Sequence, residues 1–543
     1  IALSCNEDEW LQEEVFDFYS VENSYETPEQ FHAAVTYLYN SVPPFTNEAP
    51  FINMVFFYTS DIAFDAISLT HQMNSYADAL TPETSVVRTY WERFYDMVLH
   101  ANVILNRIEN ENVEFSSEEA RLQIKAEASF FRAYAYRNLG IMYGGVPLVL
   151  EEISEPKRDF ERATKEEVME QCIADLLFAA ENLPSVSEIN EEGRLTKAAA
   201  YHLMTEIYII TESWDDAINA ASQVINNPNY SLMTERFGTK NEAGDPYFDL
   251  FRRGNQNRTS GNNEAIWVHQ YEYMVEGGGS GYNLTGWLTP NAYLLSGDDG
   301  KQLFIGPTSQ HGGRGIGWVA PSDYLLNQIW EMDFNDMRNS QYNIIRDIAA
   351  NNPESKYFGQ KIVENGLIVQ DPTKLDVNDR RWSAIFSKTT PINDFPSEVV
   401  LNSATGLVSN SANQTFRDHY VMRLAETYLL RAEAYFGKGD LAKAAEDINV
   451  VRQRANATPI SSGDVNIDFM LDERARELYF EELRIMTLMR MGKLVERVKT
   501  YDPMHNGKYA NNGIYDHQNL WPIPQSEIER NTEALLQQNP GYN

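Results

Sequence analysis

The sequence predicts a mainly α-helical protein in which a scaffold of helix pairs carries one long, irregular, loop-rich insertion. Three observations carry this reading. Apolar residues recur at helical spacing over 27–227 and again over 416–543, two helix pairs repeat one spacing, and the composition changes abruptly between the two stretches.

In chain order, the helical stripes cover about 27–41, 84–108, 117–142, 164–183, 195–211 and 214–226, then 418–437, 441–455 and 468–498. The 164–183 segment shows the logic. Val168, Cys172, Ile173, Leu176, Ala179, Ala180 and Leu183 fall on one face, so Cys172 is expected as a buried thiol. Thr164 and Glu167 have capping-box spacing, and Glu166, Glu167 and Glu170 put negative charge in the early turns, where the helix dipole favours it. Tyr208 lies nine residues before Ala217, and Tyr435 nine before Ala444, with acids in both turns (Asp215 and Asp216; Asp440). A bulky residue on one helix packing beside a small one on the next is the tetratricopeptide pattern, and the remaining pairs extend it to about four units.

From about 228 to 415 the chain is rich in Gly, Asn, Ser and Pro, with only short helical windows such as 322–331. The glycine runs at 277–281 and 312–317 are expected to be flexible loops. A long irregular insertion on a rigid scaffold is where binding residues collect. The expected organisation is a stub and acidic linker over 1–26 and a single body over 27–543. Its scaffold occupies about 27–227 and 416–543, and its ligand-binding insertion about 228–415.

Composition narrows the function. The 543 residues carry 44 basic and 79 acidic side chains, a net charge of −35, which repels nucleic acid and anionic headgroups. No apolar run approaches the length that spans a bilayer. Cys5 follows Ile1-Ala2-Leu3-Ser4, which reads as the end of a lipoprotein signal peptide with Cys5 as the acylated residue. Residues 1–87 hold 14 Asp or Glu and neither Lys nor Arg, so only a lipid would hold that segment at a membrane. The glycine runs complete neither G-x-G-x-x-G nor a nucleophile elbow, and the nine histidines form no zinc spacing. Asp333-Phe334-Asn335-Asp336 lacks the frame of a calcium loop. No enzyme, metal or cofactor is expected.

Several motifs in order resemble the SusD/RagB family of outer-membrane nutrient-binding lipoproteins of Bacteroidetes. They begin with Ala126-Glu127-Ala128, Phe131-Arg132-Ala133-Tyr134 and the exit turn Tyr143-Gly144-Gly145-Val146-Pro147. Arg162-Ala163-Thr164 and Gly193-Arg194-Leu195-Thr196-Lys197 follow. Glu473-Arg474, Glu477-Leu478, Phe480-Glu481, Arg484 and Arg490 are similar to its late helix, and Gln538-Asn539-Pro540-Gly541-Tyr542 to its tail. Glu482, Ile485, Thr487 and Met491 depart from the usual residues of that late helix, and Ala2 from the usual lipobox. These are scaffold motifs, so Arg132 and Arg484 are expected as buried partners of carboxylates or carbonyls. The resemblance implies a lipid-anchored protein facing the cell exterior that captures a glycan and delivers it to a SusC-like TonB-dependent transporter. An oligopeptide-binding lid and a pure protein-docking scaffold are the alternatives.

A sugar stacks its C–H face on an aromatic ring and satisfies its hydroxyl rim with amides, carboxylates or guanidinium. Two segments have that mixture. One is 58–78, with Asp61, Asn74 and Tyr76; the other is the insertion, with Tyr282, Trp287, Tyr293, Arg314 and Trp318. Trp318 leads, because its Gly-Trp step is similar to a sugar-stacking platform in the family's starch-binding founder. Trp91, Trp214, Trp267 and Trp330 lie in patterned segments and are expected in the core. Over 251–320 five bases balance five acids, so the expected ligand is a neutral oligosaccharide.

Overall fold

The computed structural model describes residues 24–42, 54–67, 74–239, 242–279, 283–368, 380–505 and 513–542; Cys5 and Tyr282 lie outside them. Six long helices open the chain: α1 (Pro28–Asn40), α2 (Ser85–Arg107), α3 (Glu118–Tyr143), α4 (Lys165–Asn182), α5 (Lys197–Ile210) and α6 (Trp214–Ile225). After the insertion come α7 (Leu424–Lys438), α8 (Leu441–Arg454), α9 (Ile467–Leu478), α10 (Arg484–Arg490) and α11 (Leu494–Tyr501). From α2 to α6 each helix packs on the next, α7 packs on α6, and α8 on α7, so the insertion leaves the helical stack unbroken in space. No helix among the described residues is long and apolar enough to cross a membrane.

The repeated spacing has a geometric cause. At the end of α5, the Ser213 N–H donates to the Tyr208 carbonyl and the Glu212 N–H to that of Ile209, with Glu212 at φ 56°. At the end of α7, the Asp440 N–H donates to Tyr435 and the Gly439 N–H to Phe436, with Gly439 at φ 85°. Both are Schellman turns, which reverse the chain within four residues and bring the following alanine under the preceding helix. Ala217 joins Leu430 and Ala434 of α7 in one apolar cluster, and Ala444 joins Ala425, Leu429 and Ala432 in another. The capping box is present, since Thr164 Oγ1 accepts from the Glu167 N–H and Glu167 from the Thr164 N–H. Cys172 is buried, its thiol 3.4 Å from the Ala133 carbonyl oxygen.

Two helical expectations are corrected. The stripe expected over 418–437 begins as strand β8 (His419–Arg423), which pairs antiparallel with β2 (Ala265–His269) before α7 starts. This ribbon staples the insertion to the scaffold around Trp267, whose ring lies 5.5–6.4 Å from those of Tyr39, Phe130, Phe131 and Tyr134. The single late helix expected over 468–498 is instead α9, α10 and α11. It breaks at Phe480, at φ 55°, where Glu477, Glu481 and Glu482 turn inward. Glu477 and Glu264 both receive Arg423 and Arg454, and Glu477 and Glu473 both receive Arg338. Charges this deeply buried persist only when paired, and breaking one pair is costly, which gives the network a role in fixing how scaffold and insertion meet. Arg132 pairs with Asp175 across α3 and α4, and Arg484 with Asp61 and Glu482. Of the four tryptophans expected in the core, Trp91, Trp267 and Trp330 are buried, while half-buried Trp214 wedges against Gly437 at the α6–α7 junction.

Between α6 and β8 the described residues hold no helix longer than five residues, only short turns and two-stranded ribbons. Ribbon β1 (Ala63–Asp65) with β3 (Val319–Pro321) joins the early chain to the insertion, and β4 (Ile344–Ile345) with β5 (Ile385–Phe386) and β6 (Val400–Asn402) with β7 (Leu407–Val408) brace the insertion itself. The run at 312–317 is not a loose loop. The Ile316 and Gly317 N–H groups both donate to the Gly286 carbonyl, and a Cβ on Gly315 would lie 2.0 Å from the Pro290 oxygen. Glycine is required there because two backbones touch.

Candidate functional site

The two candidate segments meet. β1 and β3 run antiparallel with Ala63 opposite Pro321, Phe64 opposite Ala320 and Asp65 opposite Val319. The Ala66 N–H then donates to the Trp318 carbonyl at 2.8 Å, so Trp318 is fixed by its backbone to a segment more than 200 positions earlier. Gly317, at φ 65°, turns the chain just before it, and a Cβ there would lie 2.5 Å from the Arg380 carbonyl oxygen. That turn presents the indole of Trp318, which is half-buried.

Trp287 stands on the short helix Leu284–Leu288, its ring parallel to that of Trp318 at 9° with centroids 6.4 Å apart. At 4% exposure it belongs to the core, so Trp318 is the less buried member of the pair and Trp287 buttresses it. Tyr293 is half-buried against the apolar cluster of Leu303, Phe304 and Trp382. Arg314 is half-buried; its N–H donates to Ala412, and its guanidinium has no ion-pair partner among the described residues.

Three expected contacts are placed differently. Asp61 is fully buried: one oxygen accepts from Arg484 Nε at 2.8 Å, the other from Arg484 Nη2 at 2.6 Å and Arg497 Nε at 3.0 Å. Burial alone would raise its carboxyl, but the two guanidiniums outweigh it and hold the pKa below the ordinary value. Asn74 is buried and donates to the Asp65 carbonyl at 2.9 Å. Tyr76 is buried with its hydroxyl donating to the Thr59 carbonyl at 2.8 Å, and burial pushes its phenol pKa above the ordinary range. These side chains shape the support beneath the platform; their polar atoms are spent on protein partners, as buried polar groups must be.

The structure also adds a residue. Arg380 comes beside the platform, its carbonyl accepting from the Asn291 N–H at 3.0 Å, and its half-buried side chain has no ion-pair partner among the described residues. Nothing in the sequence around Arg380 signals that contact. The other bases of 251–320 are engaged elsewhere: Arg252 and Arg253 with Asp394, Arg258 with the Asn229 and Ala265 carbonyls, Lys301 with Glu354. Among the described residues no cluster of His, Cys, Asp or Glu is arranged to hold a metal ion. The site offers a half-buried indole, a tyrosine and two guanidinium groups, which suits reversible binding.

Comparison with known proteins agrees with this architecture. "SusD-like protein P25" of Formosa agariphila is 25% identical over 486 residues, spanning 84% of this chain and 80% of its own. A solved "laminarin binding SusD-like protein" superposes with a TM-score of 0.67 at 23% identity, over 95% of this chain and 99% of its own. Surface glycan-binding protein A of Bacteroides thetaiotaomicron, solved with laminarihexaose, gives 0.67 at 19% identity, over 94% of this chain and 99% of its own. A sequence model described as "Starch-binding associating with outer membrane" matches residues 17–209, and the SusD family model matches 263–542. Since that last match alone spans more than half of the 543 residues, the protein belongs to the SusD family.

Proposed function

We propose that this protein is a cell-surface glycan-binding lipoprotein that captures a neutral oligosaccharide at the Trp318 platform and delivers it to a TonB-dependent outer-membrane transporter. The carrying observation is the half-buried Trp318 indole, stacked on buried Trp287 and pinned to β1 through Ala66. A ring already held rigid loses little freedom when a sugar stacks on it, and Arg314, Arg380 and Tyr293 stand on the neighbouring chain to serve hydroxyl groups. Neutrality follows from charge: two uncommitted guanidiniums do not offset a molecule at −35 for a polyanionic glycan. The names of relatives that bind laminarin and starch support the ligand class. Anchoring through Cys5 and residence at the outer membrane belong to the same proposal, supported by the outer-membrane association in the name of the family model that matches 17–209.

Isothermal titration of the wild type and Trp318→Ala with neutral and acidic oligosaccharide pools tests it. Loss of the platform should weaken binding by about 2 kcal/mol, roughly thirtyfold. Unchanged affinity in Trp318→Ala moves the site elsewhere, and preferential binding of the acidic pool overturns the ligand class.

A further inference from the structure

A groove of about 840 Å³ lies where α7 and α8 meet the insertion, and it shares no residue with the Trp318 platform. Its walls are Tyr428 of α7 and Tyr342 of the insertion, both half-buried, with buried Tyr230 among its lining residues. The tyrosines are braced from outside the groove. The Tyr230 ring has the Arg258 guanidinium 4.9 Å from its centre, Tyr428 has that of Arg431 at 5.7 Å, and Tyr342 packs 6.3 Å from Phe248.

Both charges lining the groove have protein partners. Arg454 is buried between Glu264 and Glu477, and Asp245 accepts from Ser340 Oγ, Asn343 Nδ2 and the Phe248 N–H. Beside half-buried Asp245, whose carboxylate is an acceptor, the exposed polar side chains are neutral amides. The Asn335, Gln453 and Asn456 side chains are exposed, and the amides of all three lack an intramolecular hydrogen bond among the described residues. Aromatic rings set among free amides and one acceptor carboxylate complement a chain of C–H faces and hydroxyls, and they offer no cationic group to a polyanion. The volume falls in the range that buries a ligand of several rings.

We infer that the Tyr342–Tyr428 groove is a second carbohydrate site, taking a neutral oligosaccharide independently of Trp318. Two contact regions on one rigid body would hold separate stretches of one polysaccharide and raise its apparent affinity by raising the effective concentration of the second contact.

The test titrates a panel of neutral hexasaccharides (laminarihexaose, maltohexaose and cellohexaose) and a random peptide pool into four full-length proteins. These are the wild type, Trp318→Ala, Tyr342→Ala/Tyr428→Ala, and all three substitutions together. The expected result is that the tryptophan variant still binds at least one hexasaccharide, and that adding the tyrosine substitutions weakens that binding at least tenfold. Asn335→Ala/Gln453→Ala, at exposed positions, reports on the same groove should the tyrosine variant fail to fold. Sugar binding abolished by Trp318→Ala alone overturns the second site and leaves the first standing. Binding lost only with the tyrosines supports the groove and overturns the platform, and a wild type that binds no hexasaccharide overturns both. Peptide binding removed by the tyrosine substitutions, without sugar binding, reassigns the groove to protein and overturns its assignment to sugar.

Discussion

Replacing Asp61 by Asn tests whether the 58–67 segment is a ligand surface or the strut beneath one. The carboxylate is buried with Arg484 and Arg497, and receives three hydrogen bonds of 2.6–3.0 Å from them. Asn keeps the shape and removes the charge. Breaking a fully buried pair costs about 3–5 kcal/mol, because the surviving charges stay desolvated. Here the lower end applies: Arg484 keeps Glu482 at 2.9 Å and Arg497 keeps Asp472 at 2.7 Å, so the expected loss is about 3 kcal/mol at pH 7. The loss should depend on pH in one direction. The folded carboxyl has a pKa below its ordinary value of 3.8, so its contribution is complete above about pH 4 and disappears as pH falls through the folded pKa. Urea unfolding followed by the fluorescence of the nine tryptophans, from pH 7 down to pH 3, measures the gap between wild type and Asp61→Asn. Glycan affinity of the folded variant should change less than about threefold, since the Asp61 side chain is spent on Arg484 and Arg497, and its carbonyl, which accepts from Ser322 Oγ just after β3, is unaltered by the substitution. A stability gap under about 1 kcal/mol combined with a tenfold loss of affinity would refute the reasoning and return Asp61 to the ligand.

Three further outcomes are expected. Ala444→Leu places a larger side chain at the fully buried α7–α8 crossing, where overpacking costs about 1–3 kcal/mol; the melting temperature should fall with glycan affinity unchanged, and an unaltered melting curve would contradict the crossing. Lys388 is buried among the rings of Phe251 and Tyr479, and burial pushes its pKa down to about 7 from an ordinary 10.5. The unfolded chain therefore keeps a proton that the folded one releases, so wild-type stability should rise between pH 7 and pH 10. Lys388→Met should flatten that slope by up to about 4 kcal/mol over the interval, and parallel pH profiles would contradict it. Cys5→Ala should abolish fatty-acid labelling and release the protein from membranes, whereas a variant that stays membrane-bound would sink the anchor.

The scaffold was legible because its signals are local. The Tyr208–Ala217 and Tyr435–Ala444 spacings encode two Schellman turns of the same geometry, and a nine-residue window contains everything they need. The β1–β3 ribbon was not legible: it is three residues long on each side, too short for alternation to stand out, and its partners are far apart in the chain. The break after α9 escaped for another reason. Glu477, Glu481 and Glu482 read as the polar face of a continuing helix; the arginines gathered from β8, α8 and the 337–339 turn reveal that Glu477 and Glu481 point inward, and Arg474 and Arg484 do so for Glu482.

The same ambiguity divides the candidate site. Asp61, Asn74 and Tyr76 have the residue types of a sugar rim, and so does any buried polar cluster, because both tasks need acceptors, donors and a ring. Sequence shows the type; burial decides which partner takes it. Asp61 meets Arg484 and Arg497 from more than 400 positions away, and that partner set turns a plausible ligand contact into a strut. Trp318 differs from them in its neighbours. Gly317 cannot carry a side chain against Arg380, the Ala66 N–H holds the Trp318 carbonyl, and the Trp287 ring lies parallel to its indole, so a half-buried ring is held in place by neighbours that leave it unspent on a polar partner among the described residues.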